Sequence, residues 1–176
     1  GPLHIGHGRG AILGNTLANV LTHAGYSVEK EYYVNDAGTQ MDAFYRSLYA
    51  RYRQAFNLPA EVPSEGYHGA YVVELAREIV AEKGDSLLKL TDEKAITEIG
   101  KIGLEKALNS IRADLKLLGV SFDVWFSEKT LYEQGQYQKA MEDYNQAIRL
   151  KPDYAEAYNS KGVAYGKLGR YQQAIE

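Results

Sequence analysis

The chain opens on GPLHIGHGRG (residues 1–10), which places two imidazoles and four glycines directly ahead of a helical pattern. Apolar residues recur at helical spacing from Leu13 to Ala24, and Gly25 follows as a stop signal. The free N–H groups and the positive dipole end of a helix N-terminus favour an anion such as phosphate. His4 and His7 can each donate a hydrogen bond to charge that develops on a reacting phosphate oxygen. We therefore expect a phosphate-binding loop here, with the helix beginning after Gly8.

The alternative is that the glycines make a turn and that His4 and His7 only pack or cap the helix. Four specified residues in order, His-Ile-Gly-His, occur by chance in only about one in a thousand chains of this length. This rarity favours the functional interpretation. Arg9 can also contact phosphate, although a solvated arginine explains that position equally well.

Farther along, two stretches have the pattern of β-strands. Residues 28–34 are rich in β-branched and aromatic side chains, and residues 120–126 alternate apolar with polar ones. Helical patterns lie between these two stretches, and we expect a helical insertion over residues 58–118. A strand followed by helices and then a second strand predicts a parallel α/β unit.

The first predicted strand ends on polar residues. Asn35 and Asp36 follow it directly, at the edge where parallel sheets bind ligands. Asp36 can meet a cationic substrate or a ribose, and Gln40 is a weaker candidate in the same region. Equally, Asn35 and Asp36 can simply cap the next helix. His23 and His68 have no second ligand at metal spacing, so we expect no metal site on the protein.

Composition limits the function classes. The 176 residues carry a net charge of −3, which excludes a chain-wide basic surface for nucleic acid. The absence of cysteine excludes disulfides and thiolate metal sites and leads us to expect a reducing, cytoplasmic compartment. No apolar run approaches the ~18 to 20 residues of a membrane helix, so we expect no membrane partner.

The C-terminal stretch contains a repeat. GQYQKAME (residues 135–142) returns as GRYQQAIE (residues 169–176), a lag of 34 residues. That lag is the period of the tetratricopeptide repeat, which this part of the chain resembles. The similarity stops upstream of Gly135, so we place a boundary between residues 133 and 134. The first repeat lacks a matching first helix, and about three copies are usually needed for a stable array.

The N-terminal part resembles arginyl-tRNA synthetases. Residues 4–7 are similar to the HIGH motif of class I aminoacyl-tRNA synthetases. The flanking residues 1–3 and 8–10, and the stretches EYYVNDAG (residues 31–38) and FDVWFSE (residues 122–128), resemble the arginine-specific branch. The likeness covers residues 1–133.

This resemblance implies a partial Rossmann-type nucleotide-binding fold with a helical insertion, followed by an all-α tetratricopeptide-like tail. It implies ATP-dependent activation of arginine, assisted by Mg²⁺, and transfer to tRNA(Arg). By position, His4 and His7 are the catalytic residues, and His4, Gly6, His7 and Gly8 bind ATP. The alternative function is protein–protein interaction through the repeat tail, where we expect at most a weak contact.

The resemblance also implies parts that we do not find in the sequence. A preceding strand, a KMSKS-like lysine loop and anticodon-binding helices are absent, and the chain does not begin with methionine. We therefore expect a fragment that does not charge tRNA alone. A crossover or assembly error within residues 131–133, which suit both families, is our hypothesis for the join.

Overall fold

A computed structural model describes residues 1–175, and most of them are helical. Among these residues, no helix has the length and apolar character that a membrane span requires. The chain forms two compact units, one of residues 1–32 and 41–125 and the other of residues 33–40 and everything from residue 126 onward. In order, the elements are α1 (Ile5–His23), β1 (Glu31–Val34), α2 (Thr39–Ala55), α3 (Ala70–Lys83), a 3-10 turn (Ser86–Lys89), α4 (Asp92–Leu117), β2 (Val124–Ser127), α5 (Lys129–Glu133), α6 (Gln136–Leu150), α7 (Ala155–Lys167) and α8 (Tyr171–Ile175).

The two strands pair in parallel. In the first unit the Lys30 carbonyl accepts the N–H groups of Asp123 and Val124 at 2.8 and 3.2 Å. In the second unit the Glu128 N–H donates to the Val34 carbonyl at 2.9 Å. Both strands therefore advance in the same direction, which confirms the predicted parallel pairing. The described sheet has only these two strands. Most of the described residues are helical.

Both strands are shorter than predicted. The ladder begins late because the Lys30 N–H donates to the side-chain Oδ2 of Asp123, at 2.8 Å, and not to a backbone carbonyl. Val120 is also not in a strand. It lies just after α4, where its N–H donates back to the Leu115 carbonyl of that helix at 2.9 Å. Gly119 takes φ +70 and makes this helix ending possible.

The core of the first unit lies between α2, α3 and α4. Its fully buried side chains include Leu48 and Tyr52 from α2, Val72 and Ile79 from α3, and Ile99 from α4. These positions repeat at helical spacing, so each helix turns one apolar face inward. The stretch between α2 and α3 is irregular and ends at Ala70, where α3 begins.

Aromatic side chains join the end of α4 to the strands. The rings of Tyr32 and Trp125 stack with centroids 4.4 Å apart, and the Arg112 guanidinium lies 4.3 Å from the Trp125 centroid. Ile111 and Leu115 of α4 pack into the same cluster. Stacking and cation–π contact therefore fix this part of the strand pair against α4.

The second unit contains the repeat helices. The helix α6 packs on α7, and α7 packs on α8. The helix α5 has only five residues. The first repeat therefore lacks a full first helix, as the sequence predicts.

A glycine in α4 controls the packing of the first core. A Cβ added at Gly100 would overlap Cγ of Tyr45, at the base of the ring. Rotation of the ring about its own axis does not move Cγ and therefore cannot relieve this overlap. We expect Gly100→Ala to destabilise the first unit by about 1–3 kcal/mol through overpacking. Urea unfolding, followed by Trp125 fluorescence, measures the change.

Gly14→Ala is the matched control, because Gly14 also lies inside a helix but a Cβ there meets nothing within 4 Å. That substitution should stabilise the protein by about 0.5–1 kcal/mol through helix propensity. A Gly100→Ala variant as stable as Gly14→Ala would contradict the packing described here.

Candidate functional site

His4 and His7 lie at the N-terminus of α1. The helix begins at Ile5, so the motif forms the first turn, and the predicted start after Gly8 is wrong. The cause is a reciprocal cap. Nδ1 of His4 accepts the Gly6 N–H at 3.0 Å, and Nδ1 of His7 accepts the His4 N–H at 3.3 Å. The two rings stack with centroids 3.7 Å apart and planes 19° apart.

The cap also determines which ring nitrogens can act on a ligand. Because each Nδ1 accepts a hydrogen bond, each neutral ring carries its hydrogen on Nε2. Both residues are exposed. The pair therefore presents two Nε2–H donors at the positive end of a 19-residue helix. Capping and phosphate binding are compatible here, since the cap uses Nδ1 and orients the rings while Nε2 remains available.

The two glycines of the motif have different surroundings. A Cβ added at Gly6 would lie 2.8 Å from Cε1 of His4, so glycine is needed at this position for the His4 ring to keep its place. A Cβ at Gly8 would lie 3.6 Å from Cδ1 of Leu118, an ordinary contact. Packing in this structure therefore requires glycine at position 6 and not at position 8.

An open groove of about 690 Å³ runs beside the first turns of α1 and along the end of α4. Its walls are mainly apolar and include Ile12 and Leu117, while Arg9 and Asp114 are its charged members and His4 contributes an imidazole. Hydrogen-bond donors at the edge of an apolar groove suit a ligand with a flat ring and an anionic group.

Asp36 lies in the second unit, where it holds the strand ends together. Its Oδ2 accepts the Ser127 hydroxyl at 2.6 Å and its Oδ1 accepts the Lys129 N–H at 3.0 Å. Asp36 therefore accepts the first N–H of α5, and the contacts of its carboxylate lie with this later helix and β2 rather than with the start of α2. Asn35 and Gln40 are exposed in the same unit.

The other histidines do not form a metal site. His23 is exposed in the last turn of α1, and a ring nitrogen of His68 lies 3.4 Å from the Ser64 carbonyl. Across residues 1–175, no group of three His, Asp or Glu side chains is arranged to hold a metal ion.

Glu128 is a buried carboxylate that the sequence reasoning does not single out. It is fully buried, and its Oε1 accepts the Lys167 ammonium at 2.7 Å and the Tyr137 hydroxyl at 3.0 Å. The available signal is its position, because Glu128 follows β2 as Asp36 follows β1. The same sheet-edge argument that selects Asp36 would have selected it.

Comparison with known proteins identifies the N-terminal part. Residues 1–62 match the family model for the catalytic domain of class I tRNA synthetases specific for arginine. An arginine–tRNA ligase of Dehalococcoides mccartyi is 55% identical over 81% of this chain and 26% of its own length. One from Carboxydothermus hydrogenoformans is 48% identical over 99% of this chain and 31% of its own length.

A solved structure and a second family model complete the comparison. The crystal structure of a protein assigned as an arginyl-tRNA synthetase from Campylobacter jejuni has a TM-score of 0.68 and 32% identity, over 82% of this chain and 32% of that one. The chain thus spans between about a quarter and a third of the relatives it matches. Residues 129–169 match the model of the tetratricopeptide repeat. The N-terminal part of the chain therefore belongs to the class I arginyl-tRNA synthetases, and a tetratricopeptide segment is joined to it.

Proposed function

We propose that the His4–His7 pair binds the phosphates of ATP in the activation of arginine, the first half of the arginine–tRNA ligase reaction. The observation that carries this proposal is the stacked, mutually capped pair of imidazoles at the N-terminus of α1. The family assignment supports ATP as the nucleotide. The helix dipole and the Nε2–H donors both favour negative charge, so both stabilise a bound phosphate.

In the proposed reaction the arginine carboxylate attacks the α-phosphorus of ATP. A bond forms from the carboxylate oxygen to phosphorus, and the bond to the bridging oxygen breaks and releases pyrophosphate. Negative charge on the phosphate oxygens rises at this step. The Nε2–H groups of His4 and His7 stabilise it most in the transition state, which is the requirement for catalysis. In this proposal Gly6 keeps the His4 ring in place, and Gly8 lines the groove that receives the nucleotide.

Mg²⁺ is expected of this chemistry, and such an ion is usually held by one or two carboxylates together with waters and substrate phosphates. In residues 1–175 no cluster of three acidic or histidine side chains forms a site for the ion without the nucleotide. Imidazoles do not supply the oxygen ligands that it prefers. We therefore assign no step to a protein-bound magnesium ion.

We further propose that β1 and β2 are part of a Rossmann-type sheet, with the insertion over residues 58–118 and the tail after residue 133. Their parallel pairing supports this fold, since such sheets bind ligands at the carboxyl ends of their strands. Asn35 and Gln40 are proposed as substrate contacts. Asp36 is proposed as a positioning residue, because Ser127 and Lys129 already engage its two oxygens.

The complete activity is proposed from relatives that are three to four times as long as this chain. Arginine, ATP and tRNA(Arg) are the proposed partners, and the cytoplasm is the proposed location because this chemistry serves protein synthesis. Protein binding through the repeat helices is the second candidate, favoured by exposed side chains on α7 such as Tyr158 and Val163. One helix pair and a five-residue α8 form only a small part of a repeat groove.

Removal of both imidazoles should weaken nucleotide binding. We expect His4→Ala/His7→Ala to lower the affinity for ATP about tenfold or more, because two hydrogen bonds to a charged group are lost. Equilibrium dialysis with labelled ATP measures the affinity. His23→Ala is the matched control, because His23 is exposed at the opposite end of the same helix; its affinity should equal that of the parent. Equal affinity in the double variant and in the parent would contradict the proposed site.

The 176 residues tested alone should not complete the reaction, since the 142 residues that match the Dehalococcoides mccartyi relative make up only 26% of its length. We expect no tRNA-dependent incorporation of labelled arginine above the level of His4→Ala/His7→Ala. Incorporation above that control would show that this segment contains a whole active site.

A further inference from the structure

Glu128 occupies the junction of the two families. It directly follows β2 of the synthetase segment, and it precedes the tetratricopeptide match over residues 129–169. Its N–H donates to the Val34 carbonyl at 2.9 Å, so the strand ladder fixes its backbone. Its side chain contacts residues of the repeat helices. Glu128 therefore joins the strand ladder to the repeat helices within the second unit.

The carboxylate of Glu128 is shielded from solvent. Glu128 is fully buried, and its Oε2 has no hydrogen-bond partner among the described residues. Its Oε1 accepts two hydrogen bonds, from Nζ of Lys167 in α7 at 2.7 Å and from the hydroxyl of Tyr137 in α6 at 3.0 Å. Lys167 is the cation that balances the buried charge. Without it, a carboxylate with one unsatisfied oxygen would remain buried with no cation to balance its charge.

Lys167 is attached at two points. Its ammonium binds Glu128, and its carbonyl accepts the hydroxyl of Tyr132 at 2.7 Å. The rings of Tyr132 and Tyr137 lie 4.7 Å apart. We propose that Glu128, Tyr132, Tyr137 and Lys167 form a clamp that holds α6 and α7 folded on the end of β2. In this clamp Lys167 is the indispensable cation.

The protonation states of Tyr132, Tyr137 and Lys167 suit their roles as hydrogen-bond donors in the clamp. Burial and the charge of Glu128 raise the pKa values of Tyr132 and Tyr137, so both phenols stay protonated as donors. The hydrogen bond to Glu128 raises the pKa of Lys167, which keeps its ammonium charged. The clamp makes the tail part of the second unit's fold, in contrast to a helical appendage attached only through the backbone.

Hydrogen exchange of the full chain tests the clamp. We expect Lys167→Met to speed the exchange of α6 and α7 amides about tenfold or more, because a buried carboxylate loses its cation. Tyr137→Phe should have a smaller effect, about two- to fivefold, because only one hydrogen bond is lost. The amides of α3 and α4 should exchange as in the parent and serve as an internal reference.

The matched control is Lys161→Met, on the same helix, whose ammonium lies 5.6 Å from the Tyr165 ring centroid. The double variant Glu128→Gln/Lys167→Met removes the uncompensated charge and should return α6 and α7 to within about threefold of the parent rate. It also keeps the proposal testable if Lys167→Met does not fold. Exchange in Lys167→Met no faster than in Lys161→Met, or a double variant that exchanges as fast as or faster than Lys167→Met, would overturn the clamp.

Discussion

The parallel pairing of β1 with β2 is the constraint on which much of the structure depends. The two strands are separated in the chain by α2, α3 and α4, so their pairing closes a long loop. The closure costs conformational entropy, which the packing of these three helices offsets. In the first unit the pairing brings Tyr32 against Trp125. In the second it places Asp36 within reach of Ser127 and fixes the backbone of Glu128. Two carboxylates that follow the two strands are positioned by one ladder.

The histidine pair depends on a local constraint. Its geometry comes from the four consecutive residues 4–7, in which Gly6 leaves room for the His4 ring and His7 closes the cap. A local motif of this kind keeps its geometry wherever α1 forms. The phosphate site that we propose therefore needs only the start of α1, whereas the proposed complete reaction needs a longer chain.

The sequence predicts the features that short-range chemistry determines. Gly25 follows the end of α1 as expected, because a positive φ after a helix favours glycine. The helix start at Ile5 is not predicted, since nothing in the residue order shows that an imidazole replaces the usual capping hydroxyl. Likewise, the late start of β1 depends on the Asp123 side chain, 93 residues from Lys30. The partnership of Glu128 with Lys167 is also long-range and requires the tertiary structure.

The proposed phosphate site at the capped histidine pair can be tested through the nitrogen spectrum of the imidazoles. In protein with ¹⁵N-labelled histidine, we expect His4 and His7 to carry hydrogen on Nε2 before ligand is added. On titration with ATP, the Nε2 signals of these two residues should shift saturably, while those of His23 and His68 stay unchanged. Equal shifts of all four histidines, or no shift at His4 and His7 at saturating ATP, would contradict the account.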